Sequence, residues 1–273
     1  MYQLLFFITG LCTGSFSNVV IARLPAMMFN PAIKQNFNLL LPRSHCPHCH
    51  YTLRAHQLIP VVSWLFLRGK CASCKAPVSV IYPAIELLNA LLYLWIALHV
   101  ADPLTAIPLC LFCNTLLIMA AIDFRHQLLP DVLTLPLLWA GLLWNSSGYG
   151  MTTATQALWG AALGYLALWS VYWFYYMLRQ REGLGYGDFK LCAALGAWLG
   201  AGSINYIILV GSLLGLATWW IRRNRVCTTI PFGPALCGAA LLYLNYYQPG
   251  HHAETIQAIN DVFASGGQHQ ITF

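Results

Sequence analysis

The sequence predicts an all-α, polytopic membrane protein with about eight transmembrane helices and one polar cytoplasmic insertion. Three observations carry that expectation. Hydrophobic residues make up 59% of the 273 and charged residues 8%, against about 25% charged in an ordinary soluble domain. Eight apolar runs fill most of the chain, at residues 4–24, 80–100, 104–122, 128–144, 155–178, 188–199, 204–221 and 231–247, and a spanning helix needs about 20 such residues. Finally, all 14 Lys and Arg residues fall between alternate runs or at the run ends that border those connections.

The first run has no positively charged segment ahead of it; Met1, Tyr2 and Gln3 precede it and Arg23 is the first basic residue. It is therefore expected to be a retained helix rather than a secretory signal. Basic residues stay on the cytoplasmic side of bacterial-type membranes. If the first helix runs inward, the inner segments 23–75, around 125, 179–190 and 222–225 hold 7, 1, 3 and 3 of the basic residues, and the outward loops and tail hold none. The expected organisation is a first helix (1–24), a cytoplasmic loop (25–79), a seven-helix core (80–247) and a periplasmic tail (248–273). Because topology accounts for the net charge of +6, no nucleic-acid partner is implied. No internal repeat is visible in the residue pattern.

Within the loop, CPHC (46–49) and CASC (71–74) are separated by 21 residues. Two such pairs match a four-thiolate zinc site, in which each short knuckle gives two sulfurs to a tetrahedral ion. A disulfide framework is disfavoured where thiols stay reduced. Cys46, Cys49, Cys71 and Cys74 are the expected ligands, with His45, His48 and His50 as polar neighbours. A further C-x-x-C, Cys110 and Cys113, lies inside an apolar run, where cysteine behaves as a small hydrophobe.

Only eight carboxylates occur. Asp102, Glu254 and Asp261 fall in outward segments and Glu182 in a charged cluster, where solvation suffices. Glu86, Asp123, Asp131 and Asp188 lie near membrane depth, where an ionisable group costs several kcal/mol unless paired or hydrated and so marks function. Asp123 closes the third run and Asp188 opens the sixth, so the topology delivers both to the cytoplasmic boundary. Two adjacent carboxylates can share a proton, one acting as base on water and the other as acid. Asp131 competes with Asp123 for a place in that pair, but because it follows Pro130 at the start of the fourth helix its expected role is a cap and dipole partner there. Gly183, Gly185 and Gly187 around Asp188 are expected to supply backbone torsions closed to other residues, making the approach to the sixth helix irregular.

GYGD (185–188) resembles the G-x-G-D signature of intramembrane aspartyl proteases. GYGDFKL together with IDFRHQLLPD is similar to the bacterial type IV prepilin peptidases. The resemblance extends through GSFSNVVIARLP (14–25), the two cysteine pairs, IPVVSWLFLRGKC (59–71), YPAIELLNALL (82–92) and IPFGP (230–234). It implies an eight-helix inner-membrane enzyme that removes the basic leader of prepilins and pseudopilins after a glycine. Such enzymes then methylate the new N-terminus with S-adenosylmethionine. The implied catalytic residues are Asp123 and Asp188, with Gly185, Gly187 and Lys190 in the active-site loop. Methyl transfer is assigned to the zinc-bearing loop, with Gly69, Glu86 and Lys190 as candidate contributors. Ser17 departs from a bulkier apolar residue common in relatives. A rival reading, an ion or proton transporter, would instead spread its carboxylates through the membrane depth.

Overall fold

The computed structural model describes residues 1–29, 37–181, 183, 185–222 and 231–247. Its helices are α1 (Tyr2–Phe29), α2 (Val62–Phe66), α3 (Ile81–His99), α4 (Pro103–His126), α5 (Asp131–Ser146), α6 (Ala154–Arg179), α7 (Tyr186–Leu199), α8 (Ser203–Arg222) and α9 (Gly233–Tyr247). A single 3₁₀ turn, Ala55–Leu58, precedes α2. Among the described residues there are two isolated β-bridges and no named strand.

Each of the eight apolar runs coincides with one long helix. Five of them, α1, α3, α4, α6 and α8, are long and apolar enough to cross a membrane. The other three, α5, α7 and α9, have 16, 14 and 15 residues, about 21–24 Å at 1.5 Å per residue, short of a hydrocarbon core of about 30 Å. Burial explains the shortest: from Asp188 to Leu199 every residue of α7 except Lys190 is buried. A helix apolar all round belongs inside a bundle rather than against lipid.

Helix ends follow local chemistry. Asp102, expected only to be solvated, caps α4, its carboxylate accepting the Thr105 N–H at 3.0 Å with Pro103 at the first helical position. Thr153 caps α6 through the N–H of Gln156. Gln127 ends α4 in the left-handed conformation, φ 51°.

Small residues set the closest helix contacts. Gly10 and Gly14 of α1 lie against α3, where an added Cβ would stand 2.7 Å from Ala90 Cα and 2.8 Å from Glu86 Cα. This is small-xxx-small packing, which lets backbones approach where lipid offers no hydrophobic driving force. Asn89 of α3 seals the pair, its Nδ2 donating to Gly10 O and Thr13 Oγ1, both at 2.8 Å. The polar departure at Ser17 has its reason here, because the buried hydroxyl donates to Asn114 Oδ1 of α4 at 2.8 Å. On the other side of the bundle, Gly160 and Gly164 of α6 face the backbones of Gly196 and Cys192 in α7.

Two packed clusters result. The larger draws buried residues from α1 and from α3 to α9. The smaller joins Val20, Ile21 and Leu24 at the end of α1, Ile85 at the start of α3, and Ile118 and Ile122 at the end of α4. The cysteine loop therefore emerges at the same end of the bundle as Asp123.

Candidate active site and metal centre

Asp123 lies in the last turn of α4 and Asp188 in the first turn of α7, both buried. The charge of Asp123 acts directly on Asp188, and the buried thiol of Cys237 feels both carboxylates. Three helix ends thus converge, since Cys237 sits one turn into α9, beyond Gly233. The Gly233 N–H donates to Asp123 Oδ2 at 3.0 Å, and the Gly185 N–H donates to the Asp188 carboxylate. Each carboxylate is oriented by one backbone amide at a helix start, where unpaired N–H groups are available.

The glycines act differently from the expectation. Gly185 has an ordinary φ of −78°, and none of Gly183, Gly185 and Gly187 has positive φ. What Gly187 and Gly233 provide is space. A Cβ on Gly187 would stand 2.8 Å from Leu129 Cβ, and one on Gly233 would stand 2.7 Å from Asp123 Oδ2 and 3.2 Å from Leu129 Cδ2. Leu129, in the short connection from α4 to α5, is thus wedged between α7 and α9 beside the carboxylates.

The pair is also recessed. Phe189 packs between Tyr165 and Tyr172 of α6, ring centroids 5.9 and 5.7 Å away, and the Tyr186 and Tyr172 hydroxyls are 3.2 Å apart. α6 continues seven residues past Tyr172 to Arg179, about 10 Å. The carboxylates therefore lie below the end of α6 rather than level with it.

Asp131 begins α5 but makes no capping bond; both its oxygens accept Lys190 Nζ at 2.7 Å. The expected cap is instead an ion-pair partner of α7, while its place in the first turn of α5 keeps the expected position for a dipole partner. Glu182 and Leu184 of the glycine-rich stretch, Arg223, Arg225, Cys227, Ile230 and the expected tail lie outside the described residues.

In the loop the four sulfurs of Cys46, Cys49, Cys71 and Cys74 lie within 4.8 Å of one another, with Cys46 Sγ and Cys74 Sγ 3.8 Å apart. A tetrahedral ion with bonds of about 2.3 Å to sulfur requires sulfur separations of about 3.8 Å. The two knuckles are built alike. Cys46 N donates to Tyr51 O (3.0 Å), His50 N to Cys46 O (2.9 Å) and Leu53 N to Ser44 O (2.8 Å). Cys71 N donates to Ala76 O (2.8 Å), Lys75 N to Cys71 O (3.1 Å) and Val78 N to Gly69 O (2.7 Å) at the matching offsets. His50 and Lys75 take the same left-handed turn, φ 55° and 61°. This conformational repeat is invisible in residue identity because backbone bonds carry it.

Protonation chemistry fits a cation here. The backbone N–H groups of Cys74 and Ser73 hold the Cys71 thiol down to about 6, and the N–H of Tyr51 lowers Cys49. Cys74, although the N–H of Ala76 favours its thiolate, is pushed up to about 11 by burial and by the sulfurs of Cys49 and Cys71. Four crowded thiolates need a positive ion among them. His45 and His50 stack on each other, centroids 5.7 Å apart, outside the sulfur cluster. Cys110 and Cys113 are buried in α4 as packing residues.

Gly69 turns the chain at φ 67°, and a Cβ there would meet the Trp64 ring at 2.8 Å. Glu86, buried on α3, accepts the Val61 N–H at 2.7 Å and also bonds the Ser15 hydroxyl. Val61 is a β-branched residue at φ 59° and ψ −49°, a conformation such residues rarely adopt. Glu86 thus fastens the loop to the bundle at a strained turn. Gly233, Leu129 and Val61 carried no sequence signal of these contacts, although IPFGP stood out as a motif.

The profile of the bacterial peptidase A24 N-terminal domain matches residues 8–100, and that of the type IV leader peptidase family matches residues 110–220. The prepilin leader peptidase/N-methyltransferase of Stutzerimonas stutzeri is 47% identical over 255 residues, covering 87% of this chain and 88% of its own. Its namesakes in Aeromonas hydrophila and Pseudomonas aeruginosa are 43% and 45% identical, over 89% and 86% of this chain and 90% and 87% of theirs. The chain belongs to the type IV leader peptidase family. No solved structure matches it. In this leader peptidase the four cysteines, Gly69 and Glu86 fall in the N-terminal match. Asp123, Asp188 and Lys190 fall in the second, and Gly233 lies outside both.

Proposed function

We propose that this chain is an inner-membrane aspartyl peptidase that cleaves the leader of type IV prepilins and pseudopilins after a glycine. It then N-methylates the exposed residue with S-adenosylmethionine as donor. The observation that carries the reading is the meeting of Asp123 and Asp188, each oriented by a single backbone amide, at the end of the bundle that bears the cysteine loop.

In the peptidase step the two carboxylates hold one proton between them. The ionised member takes a proton from water as its oxygen attacks the scissile carbonyl, and the protonated member donates to the developing oxyanion. The amides of Gly233 and Gly185 keep both carboxyls in place through the exchange. The substrate must be locally extended to admit water, and glycine before the bond makes that unwinding easier. Gly187, Gly233 and Leu129 set how closely the helix ends approach. Lys190 stands on α7, two residues beyond Asp188, and pairs with Asp131.

Cys46, Cys49, Cys71 and Cys74 would hold zinc, which supplies a structural cross-link for a loop too small to fold on a core of its own. Methyl transfer is placed in that loop, with Gly69 shaping the turn against Trp64 and Glu86 docking the loop on α3. The chain would divide into a first helix (1–24), the loop (25–79), a seven-helix peptidase core (80–247) and a periplasmic tail (248–273). The basic residues would lie inside, which puts the N-terminus in the periplasm and the active site towards the cytoplasmic face. A transporter reading has no support, since the two aspartates gather at one end of the bundle. Incubation of the purified protein with a prepilin and S-adenosylmethionine should give a product whose mass shows leader loss and one added methyl group. An unchanged prepilin would refute the proposal.

A further inference from the structure

Lys190 and Asp131 form the one ion pair between lysine or arginine and a carboxylate found among the described residues, and it ties two segments 59 residues apart. The Lys190 ammonium meets both Asp131 oxygens at 2.7 Å, although the side chains are 34% and 54% exposed. An exposed pair contributes little to stability. Its location gives it another use. Asp131 is the first residue of α5, and the connection from α4 to α5, residues 127–130, begins one turn after Asp123. Lys190 is two residues beyond Asp188 on α7. The pair therefore joins the segment that carries one carboxylate to the helix that carries the other.

Between those two points the connection is fixed once more, by Leu129, which is 8% exposed and fits the space left by Gly187 on α7 and Gly233 on α9. Leu129 sets the distance of closest approach; the ion pair prevents the connection from lifting away. We infer that Lys190 and Asp131 are positioning residues for the peptidase reaction: their ion pair holds the Asp123 segment in register with Asp188, without either side chain touching the substrate. The inference rests on reading Asp123 and Asp188 as the catalytic pair.

A positioning tether acts on the rate of the chemical step more than on substrate binding, because a displacement of about 1 Å at reacting groups can cost on the order of a hundredfold. Full-length enzyme in detergent, with a prepilin as substrate, should show this in Lys190→Met and in Asp131→Asn. In both, kcat for leader removal falls by about three- to fivefold, the most that the loss of an exposed pair can shift the carboxylates out of register, while KM stays at the parental value. The melting temperature and metal content stay at parental values, which separates positioning from folding. The exchanged double variant, Lys190→Asp with Asp131→Lys, should recover a substantial part of kcat, because it restores the tether with reversed polarity. A rise in KM at constant kcat would overturn the inference and make Lys190 a substrate contact. Loss of activity that merely tracks a lowered melting temperature, unchanged kcat in the single variants, or no recovery in the exchange would also overturn it. Asp188→Asn serves as the control for the underlying reading. If Asp188→Asn still processes prepilin, the catalytic assignment has failed; if it is inactive while Lys190→Met is normal, only the tether has.

Discussion

Asp188 and Asp123 stand out in the sequence because a charge is rare in so apolar a chain, and the four cysteines because their spacing has few uses. Gly233 and Leu129 are as important to the geometry, yet nothing in their residue type shows it. Gly233 meets Asp123 across 110 residues of sequence, and the contact is made by a backbone amide that any residue possesses. Gly185 and Gly187 were legible as glycines but not in their reason: space beside Leu129 matters at Gly187, whereas an added Cβ at Gly185 would make an ordinary 3.5 Å contact with Asp188 Oδ2. A consequence follows for substitution. Gly187→Ala and Gly233→Ala should each reduce the rate of leader removal by on the order of ten- to a hundredfold, while Gly185→Ala stays within a few-fold of the parent, as read by initial rates on a prepilin. Equal rates in all three variants would show that close packing around Leu129 does not set the site.

Among the elements, the eight long helices were legible from apolar runs, with ends displaced by a few residues. The pairing of helices was not, because it depends on small residues whose neighbours lie in other segments. α1 and α3 meet through Gly10 and Gly14, and the same contact holds Glu86 beneath Val61. Gly14→Val should force the two helices apart, with an overpacking cost of about 1–3 kcal/mol. A lowered melting temperature and weaker methylation would be seen before leader removal suffers. The knuckles offer a second test of this division. Cys71→Ser should lower bound zinc, measured by elemental analysis of the purified protein, and abolish methylation while some leader removal persists. Full zinc content in that variant would rule out the four-sulfur site.

For the whole molecule, basic residues on alternate connections predict a direction across the membrane, and the structure adds that the site end and the cysteine-loop end are one. Depth was the part the sequence could not supply. Apolar runs report where a helix is greasy, not where it stands relative to its neighbour, and the contacts of Phe189 with Tyr165 and Tyr172 show α6 running on about 10 Å past Tyr172. The expected orientation is testable in intact cells. Ser147→Cys should react with a membrane-impermeant thiol reagent applied from outside, and His126→Cys only after lysis, each scored above the labelling of the parent protein. The central claim, that Asp123 and Asp188 together hydrolyse the leader bond, is tested most directly by the mass of a prepilin after incubation with Asp123→Asn and with Asp188→Asn. With both variants folded and retaining parental metal content, the leader is expected to remain attached in each case; complete processing by either one would contradict the shared-proton pair.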